Sequence, residues 1–119
     1  MINFHGGQDH QITSFNTERF YDRLLADAAS SSNDLNDFAR FFRVPGMFHC
    51  NSGPGAWVIG QQGPVAGAPL GIRFTSSVNI LAALMEWVEK GVAPKSILGT
   101  KFVNDTVSLG IDLQRNHCL

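Results

Sequence analysis

Phe38-Ala39-Arg40-Phe41-Phe42-Arg43-Val44-Pro45-Gly46-Met47-Phe48-His49-Cys50 is the stretch on which the fold turns. Phe38 to Val44 is short, aromatic and β-branched, which suits a buried strand, and Pro45-Gly46 stops it at a turn. His49 and Cys50 therefore sit just beyond the end of a strand. Upstream, Ser30-Ser31-Ser32-Asn33-Asp34 has no periodicity and reads as a loop. Before it, Phe20, Tyr21, Leu24, Leu25 and Ala28 fall at helical spacing and predict a helix from Asn16 to about Ala29 with one buried face. Asn16 is the expected N-cap and Glu18 the expected acid of the first turn. Further back, Ile2-Asn3-Phe4 reads as the tail of a strand that runs into His5-Gly6-Gly7 and then Asp9.

Downstream of the histidine, Cys50 to Gly71 is so punctuated by glycine and proline that a long irregular loop is expected. A second helix follows, capped by Ser76 or Ser77, with Ile80, Leu81, Leu84, Trp87 and Val88 as a continuous apolar stripe and Lys90-Gly91 at its end. Ile97 to Val103 is the last expected strand, and the remainder up to Leu119 carries no secondary-structure signal. The order strand, loop with Asp9, helix, strand, loop with His49, helix points to an α/β fold with a mostly parallel sheet and flanking helices. In such a sheet the chemistry collects at the carboxyl ends of the strands, where Asp9 and His49 would meet.

That acid-then-histidine order is the order of an α/β-hydrolase triad. There the carboxylate keeps one imidazole nitrogen protonated and orients the ring, leaving the other nitrogen free to take the proton of an attacking serine. Plainer readings stand beside this one. Asp9 between Gln8 and His10 suits a turn residue satisfying its own backbone, and His49 a core histidine bonded to a carbonyl. His5, His10 and His117 read as loop or surface residues, and Phe38, Phe41 and Phe42 as core.

Composition narrows the alternatives. One domain of 119 residues, or one part of a larger one, fits the 13.0 kDa mass and the 44% hydrophobic content. Nine Lys plus Arg against ten Asp plus Glu leave a net charge of -1, with no basic surplus for a nucleic-acid backbone. Charged residues are 16%, below the roughly 25% of an average domain, which points to surface that something else covers. No run approaches the ~18 apolar residues of a membrane span, and no basic n-region follows Met1. Two cysteines make no disulfide scaffold, and with the four histidines they show neither Cys-x-x-Cys nor His-x-x-x-His spacing, so no metal is expected.

Val44-Pro45-Gly46-Met47-Phe48-His49-Cys50, followed by Gly53-Pro54-Gly55-Ala56-Trp57, resembles the histidine motif of the tannase and feruloyl esterase family. His5-Gly6-Gly7-Gln8-Asp9 resembles the family's His-Gly-Trp-Ala-Asp segment, with Gly7 and Gln8 in place of Trp and Ala. Glu86 to Pro94 is similar to the helix end that follows the family's histidine loop, although Phe48 replaces a common Gly before the histidine. Together these cover most of the chain, in family order.

The resemblance implies that residues 1–119 form the C-terminal portion of an α/β-hydrolase catalytic domain in a secreted serine esterase. Its substrates would be phenolic acid esters of plant origin, feruloyl or galloyl, with no nucleic-acid or membrane partner. Asp9 would orient the histidine and His49 would be the general base. Cys50 would be bonded to a cysteine beside the nucleophilic serine. No cofactor is implied for this chain, since calcium, where members use it, belongs to the inserted lid domain. None of Ser14, Ser30, Ser31, Ser32, Ser52, Ser76, Ser77, Ser96 and Ser108 lies in Cys-Ser-x-Gly or Gly-x-Ser-x-Gly, so the nucleophile is expected in a segment outside these residues. The competing expectation is a non-catalytic α/β protein that keeps hydrolase remnants and binds a partner.

Overall fold

The computed structural model describes residues 1–30, 34–61 and 71–119. The expected loop residues 31–33 and the 62–70 part of the glycine-rich segment lie outside the described residues. Strand β1 (Ile2–Gly6) pairs in parallel with β2 (Arg40–Val44), in the register Ile2 to Arg40 through Gly6 to Val44. Helix α1 (Ser14–Ser30) makes the crossover between them. This is the expected βαβ arrangement, and it brings both carboxyl ends to one edge.

The rest departs from a mostly parallel sheet. Strand β3 (Ser96–Phe102) pairs with β4 (Ile111–Cys118) in an antiparallel ladder, from Ser96 opposite Cys118 to Phe102 opposite Ile111, with a bulge at Lys101/Phe102. The described residues thus hold two small two-stranded sheets, one parallel and one antiparallel. Two 3-10 turns, Val103–Asp105 and Val107–Leu109, fill the short β3–β4 connection, and a connection this short forces the antiparallel return. β4 gave no sequence signal because six of its eight residues are exposed in succession, so no inward and outward alternation marks it.

Several local expectations shift. Helix α1 begins at Ser14, which puts Asn16 inside the helix rather than at its cap. Glu18 falls beyond the first turn and instead faces Arg43 at 3.3 Å across to β2. Tyr21, Leu24 and Ala28 pack with Leu35 and Ala39, while Phe20 and Leu25 are exposed. Phe38 is also exposed, standing before β2 at the end of a 3-10 turn (Leu35–Asp37), whereas Phe41 and Phe42 are buried as expected.

Helix α2 (Ile80–Lys90) is capped by Asn79, not by Ser76 or Ser77. The Asn79 carboxamide oxygen accepts from the amides of Leu81 and Ala82, both at 3.0 Å. Thr75 takes up the amides of Val78 and Asn79 in a preceding turn, which leaves the serines outside the helix. Gly91 ends it in the left-handed region, its amide bonded to the Trp87 carbonyl, as the Lys90-Gly91 signal foretold. The expected stripe is buried only in part: Ile80 packs against the core and Leu84 and Trp87 are half-buried, while Leu81 and Val88 are exposed and the fully buried residues are Ala82 and Ala83. Small alanines at the contact let the helix approach the core closely.

The main core is Phe42, Val44, Met47, Trp57, Val58, Ile59, Ala83, Ile97 and Phe102. It joins β2, the loop after it, α2 and β3. The loop is fastened to the antiparallel ladder by backbone as well: Val58 and Thr100 exchange two hydrogen bonds of 3.0 Å. The segment that carries His49 is therefore clamped between both sheets.

Candidate active site

β1 and β2 each end in a backbone turn, and the two turns are hydrogen-bonded together. Gly7 donates to the Val44 carbonyl at 2.9 Å and Gln8 to the Met47 carbonyl at 3.0 Å. Gly6 is what allows this approach, since a Cβ there would lie 2.2 Å from the Phe48 carbonyl oxygen. Gly46 serves the turn differently: its φ is +76°, and a Cβ would meet the Gly55 amide nitrogen at 2.6 Å. The histidine loop then folds back on itself, with Gly55 donating to Gly46 and Phe48 to Ser52. Cys50 and Ser52 both take left-handed backbone conformations, φ 52° and 58°, on either side of Asn51.

The outcome is a direct contact between the two residues singled out in the sequence. His49 Nδ1 lies 2.8 Å from Asp9 Oδ2. The other carboxylate oxygen accepts from the amides of Gln11 at 2.8 Å and Ile12 at 2.9 Å. Asp9 is thus a turn residue satisfying its own backbone and a partner of His49 at once, one oxygen for each role. Its side chain is 3% exposed, against 37% for His49.

Burial pushes the Asp9 carboxyl up, but the Ile12 amide, the His49 imidazole and the Gln11 amide together outweigh it. They hold the group well below the usual carboxylate range, so it is ionised at neutral pH. A carboxylate has no proton to give, so Nδ1 of His49 carries the hydrogen of the 2.8 Å bond. In the neutral ring Nε2 is then the acceptor. A cavity of about 170 Å³ adjoins the pair, lined by Phe4, His5, Ile12, Met47 and Cys50 among others. A larger hollow of about 540 Å³ near Arg73, Thr100 and Gln114 is lined, among the described residues, by no histidine or carboxylate.

Residues without a motif hold the histidine loop in place. Gln61 acts as a clip: its Oε1 accepts from Ile59, and its Nε2 donates to the carbonyls of Trp57 at 2.6 Å and Cys50 at 3.3 Å. Lys101 reaches from β3 to the Gly53 carbonyl at 2.7 Å and to Asp105 at 2.6 Å. Trp57 donates to the same Asp105 oxygen at 2.7 Å. His117 is buried rather than at the surface, with Nε2 bonded to the Ala56 carbonyl at 2.8 Å, and burial lowers its pKa below the ordinary imidazole value. His5 is likewise no surface residue, its side chain being 12% exposed beside Asp9. His10 is exposed as expected, edge-on to the Phe48 ring.

Cys50 and Cys118 are both free and exposed. Among the described residues, no group of three or more His, Cys, Asp or Glu is placed to hold a metal ion, and no helix is long and apolar enough to cross a membrane.

A parallel βαβ unit thus carries an ionised acid joined to a histidine after successive strands, an arrangement consistent with a hydrolase-type fold. A sequence model described as tannase and feruloyl esterase matches residues 1–114, and the chain belongs to that family. It is 56% identical over 118 residues to a probable feruloyl esterase B-2 of Aspergillus flavus, covering 99% of this chain and 22% of that protein. It is 36% identical to a probable feruloyl esterase B of Emericella nidulans, covering 21% of it. Among solved structures, an esterase from Aspergillus oryzae superposes with a TM-score of 0.81 at 36% identity, and feruloyl esterase B from the same organism with 0.76 at 32%. Each match covers 98% of this chain and 22% of the structure. The chain therefore spans 22% of the length of these solved relatives.

Proposed function

We propose that this chain supplies the acid and the base of a carboxylic ester hydrolase that cleaves phenolic acid esters of the feruloyl or galloyl type. The observation that carries the proposal is the 2.8 Å bond from His49 Nδ1 to a buried, ionised Asp9. Asp9 fixes the tautomer and direction of the ring, and His49 Nε2 takes the proton of a serine hydroxyl as it attacks the ester carbonyl. As the alcohol leaves, His49 returns the proton to it, and the cycle repeats with water. The serine, its oxyanion hole and the pocket for the phenol belong to a part of the enzyme beyond these residues. Cys50, exposed beside His49, is the residue through which that part is covalently tied, to a cysteine adjoining the serine. A disulfide of this kind accords with a secreted enzyme.

The names of the relatives support the substrate class. A non-catalytic partner-binding role accounts for the exposed Phe15, Phe74 and Val88, but not for a buried carboxylate aimed at a half-exposed imidazole. The test is to replace the corresponding segment of the Aspergillus flavus relative with this chain and assay methyl ferulate. The chimera is expected to turn over and His49→Ala to abolish turnover, while the 119-residue chain alone has none. A His49→Ala chimera that retains full activity would overturn the proposal.

A further inference from the structure

His5 stands outside the acid–base pair, yet its ring is held at both nitrogens against it. Nδ1 lies 2.7 Å from the hydroxyl of Thr17 on α1. Nε2 lies 3.1 Å from the Ile12 carbonyl and 3.2 Å from Asp9 Oδ2. Both groups that face Nε2 are acceptors only, so Nε2 carries a proton. In the neutral ring Nδ1 then accepts from the Thr17 hydroxyl, and the tautomer is fixed. Ile12, whose carbonyl receives His5, sends its own amide to Asp9 Oδ1. The contacts close a circuit from β1 through His5 to Ile12, from Ile12 to the carboxylate, and from the carboxylate to His49.

We propose that His5 is a positioning residue for Asp9: it clamps the Asp9–Ile12 turn through Nε2–H and anchors that clamp to α1 through Thr17. The inference rests on reading Asp9 and His49 as a working pair. Its content is that the direction of Oδ2 toward His49 is set from outside the turn. Two backbone amides fix Oδ1, and they leave the carboxylate free to swing about that oxygen. The imidazole edge of His5, with Nε2 3.2 Å from Oδ2 while its hydrogen bond goes to the Ile12 carbonyl, disfavours the swing.

The experiment is NMR of the 119-residue chain labelled with ¹⁵N-histidine. The expected wild-type spectrum shows His5 as the Nε2–H tautomer and His49 with a protected Nδ1–H. His5→Phe keeps a ring but removes both contacts, and the His49 Nδ1–H should exchange about tenfold faster, on the scale of one ordinary hydrogen bond. Backbone amides of β3 and β4 should keep their wild-type exchange. His5→Gln, which restores an N–H donor toward Ile12, should recover most of the protection. Thr17→Val should speed the exchange less, through a mixed His5 tautomer.

Unchanged His49 protection in His5→Phe, or a wild-type His5 with its proton on Nδ1, would overturn the proposal while leaving the acid–base pair intact. An unprotected Nδ1–H on wild-type His49 would overturn both. Should His5→Phe disturb the β3–β4 amides, Thr17→Val decides: faster exchange supports the clamp and unchanged exchange refutes it.

Discussion

Replacing Asp9 by Asn changes one atom of the site and reverses the sense of its most important contact. The remaining side-chain oxygen still accepts from Gln11 and Ile12, so the turn survives. The new amide nitrogen stands where Oδ2 was, 2.8 Å from His49 Nδ1 and 3.2 Å from His5 Nε2. A donor then faces two donors, and His49 relieves the clash by moving its proton to Nε2, the nitrogen needed as base. For catalysis in the chimera the expected loss is about four powers of ten in kcat, the scale set by the same substitution in a serine protease triad.

For stability, a hydrogen bond to a charged group is worth roughly 1.5–3 kcal/mol. Because His49 is 37% exposed and solvent screens that side, the lower end, about 1.5 kcal/mol at pH 7, is expected. The sign of the pH dependence follows from the depressed carboxyl pKa. Folding keeps Asp9 ionised, so its stabilisation is fully present above the unfolded value of about 3.9 and is lost as pH falls toward the folded value below it. Urea unfolding of wild type and Asp9→Asn between pH 7 and pH 3 measures this. The gap should be constant down to about pH 5 and then narrow. A gap under about 0.5 kcal/mol at pH 7, or one that widens in acid, would refute the reasoning.

Three further outcomes are expected. Gly6→Ala should destabilise the chain by about 1–3 kcal/mol in the same urea assay, because its Cβ would fall 2.2 Å from the Phe48 carbonyl and that backbone cannot yield cheaply. Lys101→Met should leave α1 untouched but speed amide exchange across the histidine loop by roughly tenfold, since it removes one charge-assisted bond to Gly53 and one to Asp105; no change would remove Lys101 from the account. Thiol titration of the denatured, unreduced chain with peptide mapping should show no intramolecular Cys50 to Cys118 bond, the two being free and lying in separate elements; such a peptide as the main species would contradict the placement of the two residues.

What was legible in the sequence was whatever a turn signal pinned. Pro45-Gly46 ends β2 and His5-Gly6-Gly7 ends β1, so the positions of His49 and Asp9 followed from punctuation alone. Gly91 fixed the end of α2 in the same way. Periodicity succeeded less well, because it marks the faces an element is suited to bury. Phe20, Leu25, Leu81 and Val88 fit the stripes yet are exposed, in a chain that spans 22% of its Aspergillus flavus relative. The N-cap of α2 was misplaced because Ser76, Ser77 and Asn79 are all good caps, and only the Thr75 turn selects Asn79.

The supports of the site were illegible for a different reason. Lys101 and His117 act on backbone carbonyls far from them in sequence, and no spacing rule connects a side chain to a distant carbonyl. His5 was misread because one strand position says nothing of which loop folds over it.

The claim that Asp9 and His49 act as one unit is tested most directly by a double-mutant cycle on kcat in the chimera, with Asp9→Asn, His49→Ala and both together. Residues of one catalytic unit are strongly non-additive, so the double variant should be about as slow as His49→Ala alone. Losses that simply multiply, with the double variant slower by the product of the two single effects, would contradict the account.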